Sequence, residues 1–284
     1  MDGPRLDALS GEPTVVVASR QARPNRPRDG CPFCVGGVES PQPYQVRWFP
    51  NRWPALPGDV CEVVLYSPDH RASWSSLPVD QATRVVDLWA RRSAALGARS
   101  DVDYVLVFEN RGDEVGATID HPHGQIYAYD HVPPRPRHEL DHGDVVAGLG
   151  PDAPGDRLVA RVGSWRSWVP WASGWPYGLV LAPEAPVADL PSLDDGSRRD
   201  LAELLVDAVG RLERHLGDRV PYMFWIHQRP FDGGDWDRAW VHLHLCPLWR
   251  EPGTARYVAA AELGAGVLFN PVDPTDAAEA LRRA

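Results

Sequence analysis

Similar segments recur at a nearly constant spacing in the two halves of this 284-residue chain, and this repeat constrains its fold more than any other feature. Corresponding positions are 116, 118 and 121 residues apart: Glu62 and Gly178, Tyr104 and Tyr222, His121 and His242. A fixed offset with small insertions in loops is typical of an internal duplication. We therefore expect two similar units, residues 1–150 and 151–284, which diverged in chemistry.

Each half shows the same order of expected elements, from strand to helix to strand to a glycine-containing loop to a strand that carries a His-x-His pair. Apolar runs bounded by turn residues indicate the strands, and apolar residues at helical spacing indicate the helices. The expected strands are 61–70, 103–110, 177–186, 222–228 and 239–249, and the expected helices are 80–97 and 197–217. The alternation of strand and helix predicts an α/β chain.

Charge and hydropathy limit the kinds of molecule that this chain is expected to bind. The formal charge of −10 argues against general affinity for nucleic acid or an anionic membrane surface, although a local basic pocket for a phosphorylated small molecule stays open. No apolar run approaches the roughly 18 residues that span a bilayer, and the first 20 residues carry no signal-peptide pattern. Four cysteines in a chain of this length do not indicate a disulfide framework, so we expect a reducing cytoplasm.

The segment "HPHGQ" (121–125) is a candidate catalytic strand. Alternation places His121, His123 and Gln125 on one side of the strand. Pro122 stiffens the backbone, and Gly124 lets a ligand approach it. An imidazole nucleophile beside an uncharged amide donor suits covalent catalysis on a phosphate. The alternative interpretation is a strand with buried histidines that bond to the backbone.

Two further groups of residues resemble metal sites. "CPFC" (31–34) offers two thiolates from a tight turn, which is half of a tetrahedral site; free thiols and a redox pair are the alternatives. The missing partners of such a site must be histidines or carboxylates, because Cys61 and Cys246 lie within apolar strand patterns. His242 and His244 share one strand face, and His227 joins them if the preceding strand pairs with theirs.

Taken together, these motifs resemble the galactose-1-phosphate uridylyltransferases of the histidine-triad superfamily. The resemblance covers roughly residues 5–270 and rests on motifs in the family's order and at suitable spacings: "CPFC" (31–34), "SPDH" (67–70), "NRGDEVG" (110–116), "HPHGQIYAY" (121–129), "PYMFWIHQRPF" (221–231) and "VHLHL" (241–245). It implies a duplicated histidine-triad-like unit of α+β type, with a mainly antiparallel sheet flanked by helices. The family is commonly dimeric, so a homodimer is expected.

The resemblance also implies roles for single residues. His123 is expected to be the nucleophile that takes the nucleotidyl group, and Gln125 to steady the phosphoryl oxygens. Zinc is expected on Cys31, Cys34, His70 and His121, and a second ion, iron or zinc, on Glu139, His227, His242 and His244. Nucleotide and phosphate contacts are expected from Arg20, Arg23, Asn51, Asn110, Gly116 and Thr118, and a sugar-hydroxyl contact from Glu262.

The implied reaction is a ping-pong transfer of UMP from UDP-glucose to galactose 1-phosphate through a uridylyl-histidine. The partners would thus be a nucleotide sugar and a sugar 1-phosphate. Departures from the family pattern lie in the expected sugar pocket, where Arg256 stands in place of a lysine and Leu268 in place of a polar residue. A related adenylyltransferase or phosphorylase, and a non-catalytic metal- and nucleotide-binding protein, are the alternative hypotheses.

Overall fold

The computed structural model describes residues 4–22, 30–141 and 154–284. These ranges contain thirteen β-strands: β1 (Arg5–Leu6), β2 (Pro13–Thr14), β3 (Arg47–Pro50), β4 (Cys61–Leu65), β5 (Tyr104–Arg111), β6 (His123–Tyr129), β7 (Leu158–Val162), β8 (Trp165–Trp168), β9 (Leu179–Pro183), β10 (Tyr222–His227), β11 (His242–Pro247), β12 (Trp249–Glu251) and β13 (Thr254–Ala255). The same ranges contain five α-helices: α1 (Val79–Gly97), α2 (Pro134–Asp141), α3 (Asp195–Leu216), α4 (Ala260–Ala265) and α5 (Pro274–Arg283).

One antiparallel sheet of nine strands forms the centre of the molecule, in the order β3-β4-β6-β5-β10-β11-β9-β8-β7. The order β3-β4-β6-β5 in the first half corresponds to β8-β9-β11-β10 in the second, and β5 pairs with β10 where the halves meet. This mirrored order is the arrangement expected of a duplicated unit. The α+β fold with a mainly antiparallel sheet is confirmed, while the division at residue 150 lies outside the described residues and stays a prediction.

Helices α1 and α3 cover one face of this sheet. Val85 and Trp89 of α1 and Leu205 of α3 lie in the same hydrophobic cluster as Ile126 of β6 and Leu243 of β11. Helix α3 begins after Asp194, whose carboxylate accepts a hydrogen bond from the Ser197 amide at 2.7 Å and so satisfies one free donor of the first turn. The apolar faces of both helices therefore form the core between helix layer and sheet.

The functional histidines lie on the other face. Along β6, Gly124, Ile126 and Ala128 are buried, while His123 and Gln125 are half-buried and alternate with them. Leu243 and Leu245 of β11 lie in the helix-covered core, so the alternating His242 and His244 point away from it. Both His-x-His segments are thus presented on the sheet face that α1 and α3 leave open.

The expected elements agree with the structure within a few residues at most ends. The strand expected over 239–249 begins only at His242, where its pairing with β10 begins. The hairpin of β7 and β8 was not expected from the sequence; its turn contains Gly163 in the left-handed region at φ 50°. Among the described residues, no helix is long and apolar enough to cross a membrane.

Candidate active site and two candidate metal centres

His123 opens strand β6, and its ring is held in one tautomer. Its Nδ1 lies 2.7 Å from the His121 carbonyl oxygen, which can only accept, so Nδ1 carries the proton. The lone pair is therefore on Nε2. Phe33 packs against the ring at 5.1 Å between centroids. A neutral imidazole with an oriented Nε2 is the form that a nitrogen nucleophile requires.

Gln125 lies two residues along the same strand, with its amide orientation set by neighbours. Its Oε1 accepts hydrogen bonds from Asn51 Nδ2 at 3.2 Å and from the Tyr127 hydroxyl at 3.3 Å. The carbonyl end of the amide is thus engaged, which leaves the NH₂ group to donate elsewhere. The uncharged donor expected from the sequence is present next to His123.

Gly124 is required for a different reason from the one expected. A Cβ built at Gly124 would lie 2.0 Å from the Tyr66 hydroxyl and 3.0 Å from the Phe108 carbonyl oxygen. The space beside this glycine is therefore filled by the buried Tyr66 side chain rather than left for a ligand. The Tyr66 amide also donates to the Pro122 carbonyl at 3.2 Å, which joins the end of β4 to the segment that leads into β6.

The first candidate metal centre joins the loop of residues 31–39, called here the knuckle, to His70 and His121. Sγ of Cys34 lies 3.5 Å from His70 Nδ1 and 3.6 Å from His121 Nδ1, and Sγ of Cys31 lies 3.8 Å from His121 Nδ1. A tetrahedral ion with bonds of about 2.0–2.3 Å holds its ligand atoms roughly 3.3–3.8 Å apart. The four residues therefore fit one metal ion, as the family resemblance implies.

His121 is oriented for this centre by the opposite edge of its ring. Its Nε2 lies 2.8 Å from the Ser67 carbonyl oxygen and 2.8 Å from the Tyr44 hydroxyl, which places the proton on Nε2 and the lone pair on Nδ1, toward the thiols. Burial lowers the pKa of His121, and burial together with the nearby Cys31 thiol raises the pKa of Cys34. A metal would bind the neutral imidazole and displace thiol protons.

The second candidate metal centre lies where α2 crosses the second half of the sheet. Glu139 Oε2 lies 2.6 Å from His227 Nδ1 and 3.4 Å from His242 Nε2, and Oε1 lies 3.9 Å from His244 Nε2. His227 is paired directly opposite His242. Burial opposes ionisation of Glu139, but the hydrogen bonds from these histidines hold its pKa well below the usual value. One carboxylate facing three imidazoles can hold a metal ion.

A cavity of about 420 Å³ contains His123 and Gln125 in its wall. Of the expected nucleotide contacts, Asn51 and Thr118 also line it. The knuckle contributes Cys31, Pro32, Phe33, Gly37, Val38 and Glu39, so the metal centre and the cavity share one wall. A second cavity, of about 670 Å³, lies against the second centre and is bordered by Glu139 and His244.

Other expected contacts are not among the described residues that line the His123 cavity. Arg20 lies in a short 3₁₀ helix, Ala18–Ala22, and Asn110 near the end of β5. Gly116 follows a second 3₁₀ helix in the left-handed region at φ 81°. Glu262 is buried in α4, where its carboxylate binds the Arg256 guanidinium and accepts from the Phe269 amide at 2.9 Å. Arg23 lies outside the described residues, and the proposed contacts of all five stay predictions.

Sequence reasoning missed several residues that build the site. Tyr44 fixes His121 from 77 positions away, and no local pattern marks it. Glu39 and Arg52 form an ion pair of 2.8 Å at the cavity wall. Arg52 follows the expected contact Asn51, and Glu39 ends the knuckle that begins with the "CPFC" motif; this adjacency was the available signal.

Comparison with known proteins gives a consistent family. A family model described as "Galactose-1-phosphate uridyl transferase, N-terminal domain" matches residues 55–133. The galactose-1-phosphate uridylyltransferase of Thermotoga maritima is 30% identical over 98% of this chain and 97% of its own length, and that of Streptomyces lividans is 34% identical over 98% and 86%. An ADP-glucose phosphorylase of Arabidopsis thaliana is 25% identical over 97% of this chain and 88% of its own length.

Solved structures agree with the sequence relatives. A structure described as "Structure of uridylyltransferase" superposes with a TM-score of 0.89 at 28% identity, and covers 99% of this chain and 97% of its own. Identity of this order over nearly the whole chain, together with the shared fold, leaves one assignment. The chain belongs to the galactose-1-phosphate uridylyltransferase family.

Proposed function

We propose that this protein transfers a uridylyl group from UDP-glucose to galactose 1-phosphate through a covalent intermediate on His123. The observation that carries this proposal is the bond from His123 Nδ1 to the His121 carbonyl at 2.7 Å, which leaves Nε2 as the nucleophilic nitrogen in the wall of a nucleotide-sized cavity. The family membership supports the same reaction.

In the first half-reaction, Nε2 of His123 attacks the α-phosphorus of UDP-glucose. A nitrogen–phosphorus bond forms, and the bond to the bridging oxygen breaks, so glucose 1-phosphate leaves with that oxygen. The imidazole becomes positively charged, and the His121 carbonyl, bonded to Nδ1–H, stabilises this charge. The free NH₂ of Gln125 donates to phosphoryl oxygens without adding a charge that would lower the reactivity of His123.

In the second half-reaction, a phosphate oxygen of galactose 1-phosphate attacks the same phosphorus. The nitrogen–phosphorus bond breaks, UDP-galactose leaves, and His123 returns to its neutral state. Neither half-reaction requires net proton transfer, because one phosphate oxygen replaces another. Of the further contacts, Asn51 and Thr118 line the cavity, which supports their proposed contact with the nucleotide. We retain Arg20, Arg23, Asn110, Gly116 and Glu262 as candidates.

The proposed metal ions hold residues in place. Two thiolates and two imidazoles are a ligand set that zinc prefers, and we assign zinc to Cys31, Cys34, His70 and His121. A carboxylate with three imidazoles suits iron or zinc, which we assign to Glu139, His227, His242 and His244. His121 would then anchor to the first ion the backbone carbonyl that orients His123.

We further propose a cytoplasmic homodimer that binds small phosphorylated substrates and neither nucleic acid nor membranes. Apolar side chains near the carboxyl terminus support an interface between copies, since Tyr257, Leu263 and Phe269 are 79%, 75% and 62% exposed. Sedimentation equilibrium would test this, with a dimer expected for the wild type and dissociation for Leu263→Glu.

Intact-protein mass spectrometry tests the reaction itself. After mixing with UDP-glucose, the wild type should gain the mass of a uridylyl group and release glucose 1-phosphate, whereas His123→Ala should gain none. A wild-type protein that acquires no adduct from UDP-glucose, UDP-galactose or ADP-glucose, and releases no sugar phosphate, would contradict the covalent mechanism. His131→Ala serves as the control, because His131 bonds to Asp130 outside the His123 cavity and should leave the adduct unchanged.

A related adenylyl transfer or phosphorolysis is the second candidate, favoured by the similarity to an ADP-glucose phosphorylase over most of both chains. The same experiment separates the two nucleotides. An adenylyl adduct that forms faster from ADP-glucose than the uridylyl adduct from UDP-glucose would favour adenine. Release of that adduct by inorganic phosphate, faster than by galactose 1-phosphate, would then indicate a phosphorylase.

A further inference from the structure

Glu39 is the carboxylate that borders the His123 cavity among the described residues, and its backbone is fixed from two sides. Its amide donates to the Pro32 carbonyl at 3.0 Å within the knuckle. Its carbonyl accepts from Arg47 Nε of β3 at 2.8 Å. The side chain is 19% exposed, and it therefore has a defined position at the junction of knuckle and sheet.

The Glu39 carboxylate is paired with Arg52. Arg52 Nη2 lies 2.8 Å from Glu39 Oε1, and both residues line the cavity. A lone carboxylate in a cavity for a negatively charged nucleotide would repel the substrate. The guanidinium offsets that repulsion, so the carboxylate can lie close to a phosphorylated ligand. The pair also joins the knuckle to the segment after β3 that contains Asn51.

A carboxylate accepts hydrogen bonds and cannot donate, so its partner on a nucleotide must be a hydroxyl or an N–H group. The phosphates offer no donor. The faces of a base suit the apolar part of the wall, which is formed by Phe33, Val38, Phe49, Trp53 and Val63. The ribose lies between base and α-phosphate and carries two adjacent hydroxyls, which match the two oxygens of a carboxylate.

We propose that Glu39, held by Arg52, accepts the hydroxyls of the substrate ribose and thereby makes the cavity selective for ribonucleotides. This inference rests on the proposed function, because it places the nucleoside in the His123 cavity. It gives the knuckle a second role, since the same loop that holds Cys31 and Cys34 also presents a substrate contact.

The test compares ribose with deoxyribose in one protein. Rates of adduct formation are measured with UDP-glucose and 2′-deoxy-UDP-glucose for the wild type and Glu39→Gln. We expect the wild type to favour the ribonucleotide by about 10- to 100-fold, the value of a hydrogen bond to a charged group. In Glu39→Gln that preference should fall to about threefold or less. An unchanged preference would overturn the proposal, because a purely structural role would slow both substrates equally.

Glu184→Gln is the matched control, since it removes an ion pair with Arg161 of 2.7 Å that is distant from the cavity wall. It should keep the wild-type preference. Zinc content reports whether the knuckle survives in Glu39→Gln. If it does not, Glu39→Asp takes its place, because the shorter side chain withdraws the carboxylate from the ribose. With equal zinc content, an unchanged preference in Glu39→Asp would overturn the proposal.

Calorimetry with UMP and 2′-deoxy-UMP separates failure of this inference from failure of the proposed function. If the wild type forms no adduct, the covalent mechanism fails. The affinities for UMP and 2′-deoxy-UMP then still show whether Glu39→Gln loses the preference for ribose. If Glu39→Gln slows transfer from UDP-glucose and binds both nucleotides as the wild type does, the carboxylate contacts the hexose instead, and the ribose assignment is overturned.

Discussion

The two His-x-His segments occupy corresponding places in the two halves of the sheet, but their imidazoles have different surroundings. The first segment begins two residues before β6, whereas the second begins with the first residue of β11. In the first half, His121 faces the knuckle thiols while His123 lines a cavity, so the pair is divided between a candidate metal centre and the proposed reactive site. In the second half, His242 and His244 both face Glu139. In the proposed function the first pair anchors and reacts, whereas both members of the second pair belong to one candidate metal cluster.

The difference lies in what surrounds each strand. In the second half, His227 is paired opposite His242, and Trp225 stacks on His244 with ring centroids 5.1 Å apart. Glu139 faces both imidazoles, so His242 and His244 belong to one cluster with His227, and His244 also borders the 670 Å³ cavity. In the first half, the knuckle takes His121 and leaves a cavity in front of His123. A duplicated scaffold can thus keep a pair of histidines while the elements around each strand decide whether one imidazole or both belong to a candidate metal centre.

Removing one proposed ligand from each metal centre should give the largest difference between the two halves. Cys34→Ser should lose most of one metal equivalent and slow adduct formation by about 100-fold, because displacing a reacting group by about 1 Å has that effect. His242→Ala should lose the other equivalent and keep most of the rate, since it lies outside the His123 cavity. Metal analysis and single-turnover rates measure both; equal rate losses would show that the centres do not differ.

Substitution of Gly124 should show how closely β6 packs against Tyr66. Gly124→Ala brings a Cβ within 2.0 Å of the Tyr66 hydroxyl, and we expect a loss of about 1–3 kcal/mol in the free energy of unfolding. Adding Tyr66→Phe removes the nearest atom. The double variant should therefore lose less free energy of unfolding than the two single variants lose together. Strict additivity in urea unfolding would contradict this contact.

At the corresponding position of the second half, Leu245 is fully buried, and truncation rather than enlargement is the harmful change. Leu245→Ala should cost about 2–5 kcal/mol by opening a cavity, yet leave adduct formation by the folded protein near the wild-type rate. Gly124→Ala should slow that step as well. Comparing the two variants at a temperature where both are folded distinguishes stability from catalysis.

Glu109, on β5 where the two halves meet, should make stability depend on pH. Burial raises its pKa to about 6, although Trp74 Nε1 and the Tyr222 hydroxyl donate to it at 2.8 and 2.9 Å. The folded state then keeps this proton to a higher pH than the unfolded chain does, so its contribution to stability falls as pH rises from about 4.5 to 6. Relative to Glu109→Gln, the wild type should lose about 2 kcal/mol across this window.

Denaturant unfolding of both proteins at several pH values measures this difference directly. Contributions from other titrating groups are shared by the two proteins and cancel in the comparison. A difference in unfolding free energy that stays constant between pH 4.5 and 7 would contradict a protonated Glu109 in the folded state.

Local sequence determined much of the fold and the chemical character of the sites. The repeated offset and the alternation in β6 and β11 predicted the duplicated order of elements, and the "CPFC" turn predicted half of a metal centre. These features depend on backbone periodicity and on the ligand preferences of thiolates and imidazoles, which act over a few residues. The family resemblance supplied His70, His121 and Glu139, and the structure brings all three into the two clusters.

Tertiary structure alone decided how those residues are oriented. The tautomer of His121 depends on the Ser67 carbonyl and on Tyr44, and the pairing of Glu39 with Arg52 joins two loops across the cavity. Gly124 is small because Tyr66 packs beside it. Such contacts join residues far apart in the chain and follow from how the sheet is packed, so no local pattern contains them. The sequence therefore indicated which groups are candidates to react and to ligate, and the packing determined which nitrogen of His121 and of His123 carries the proton.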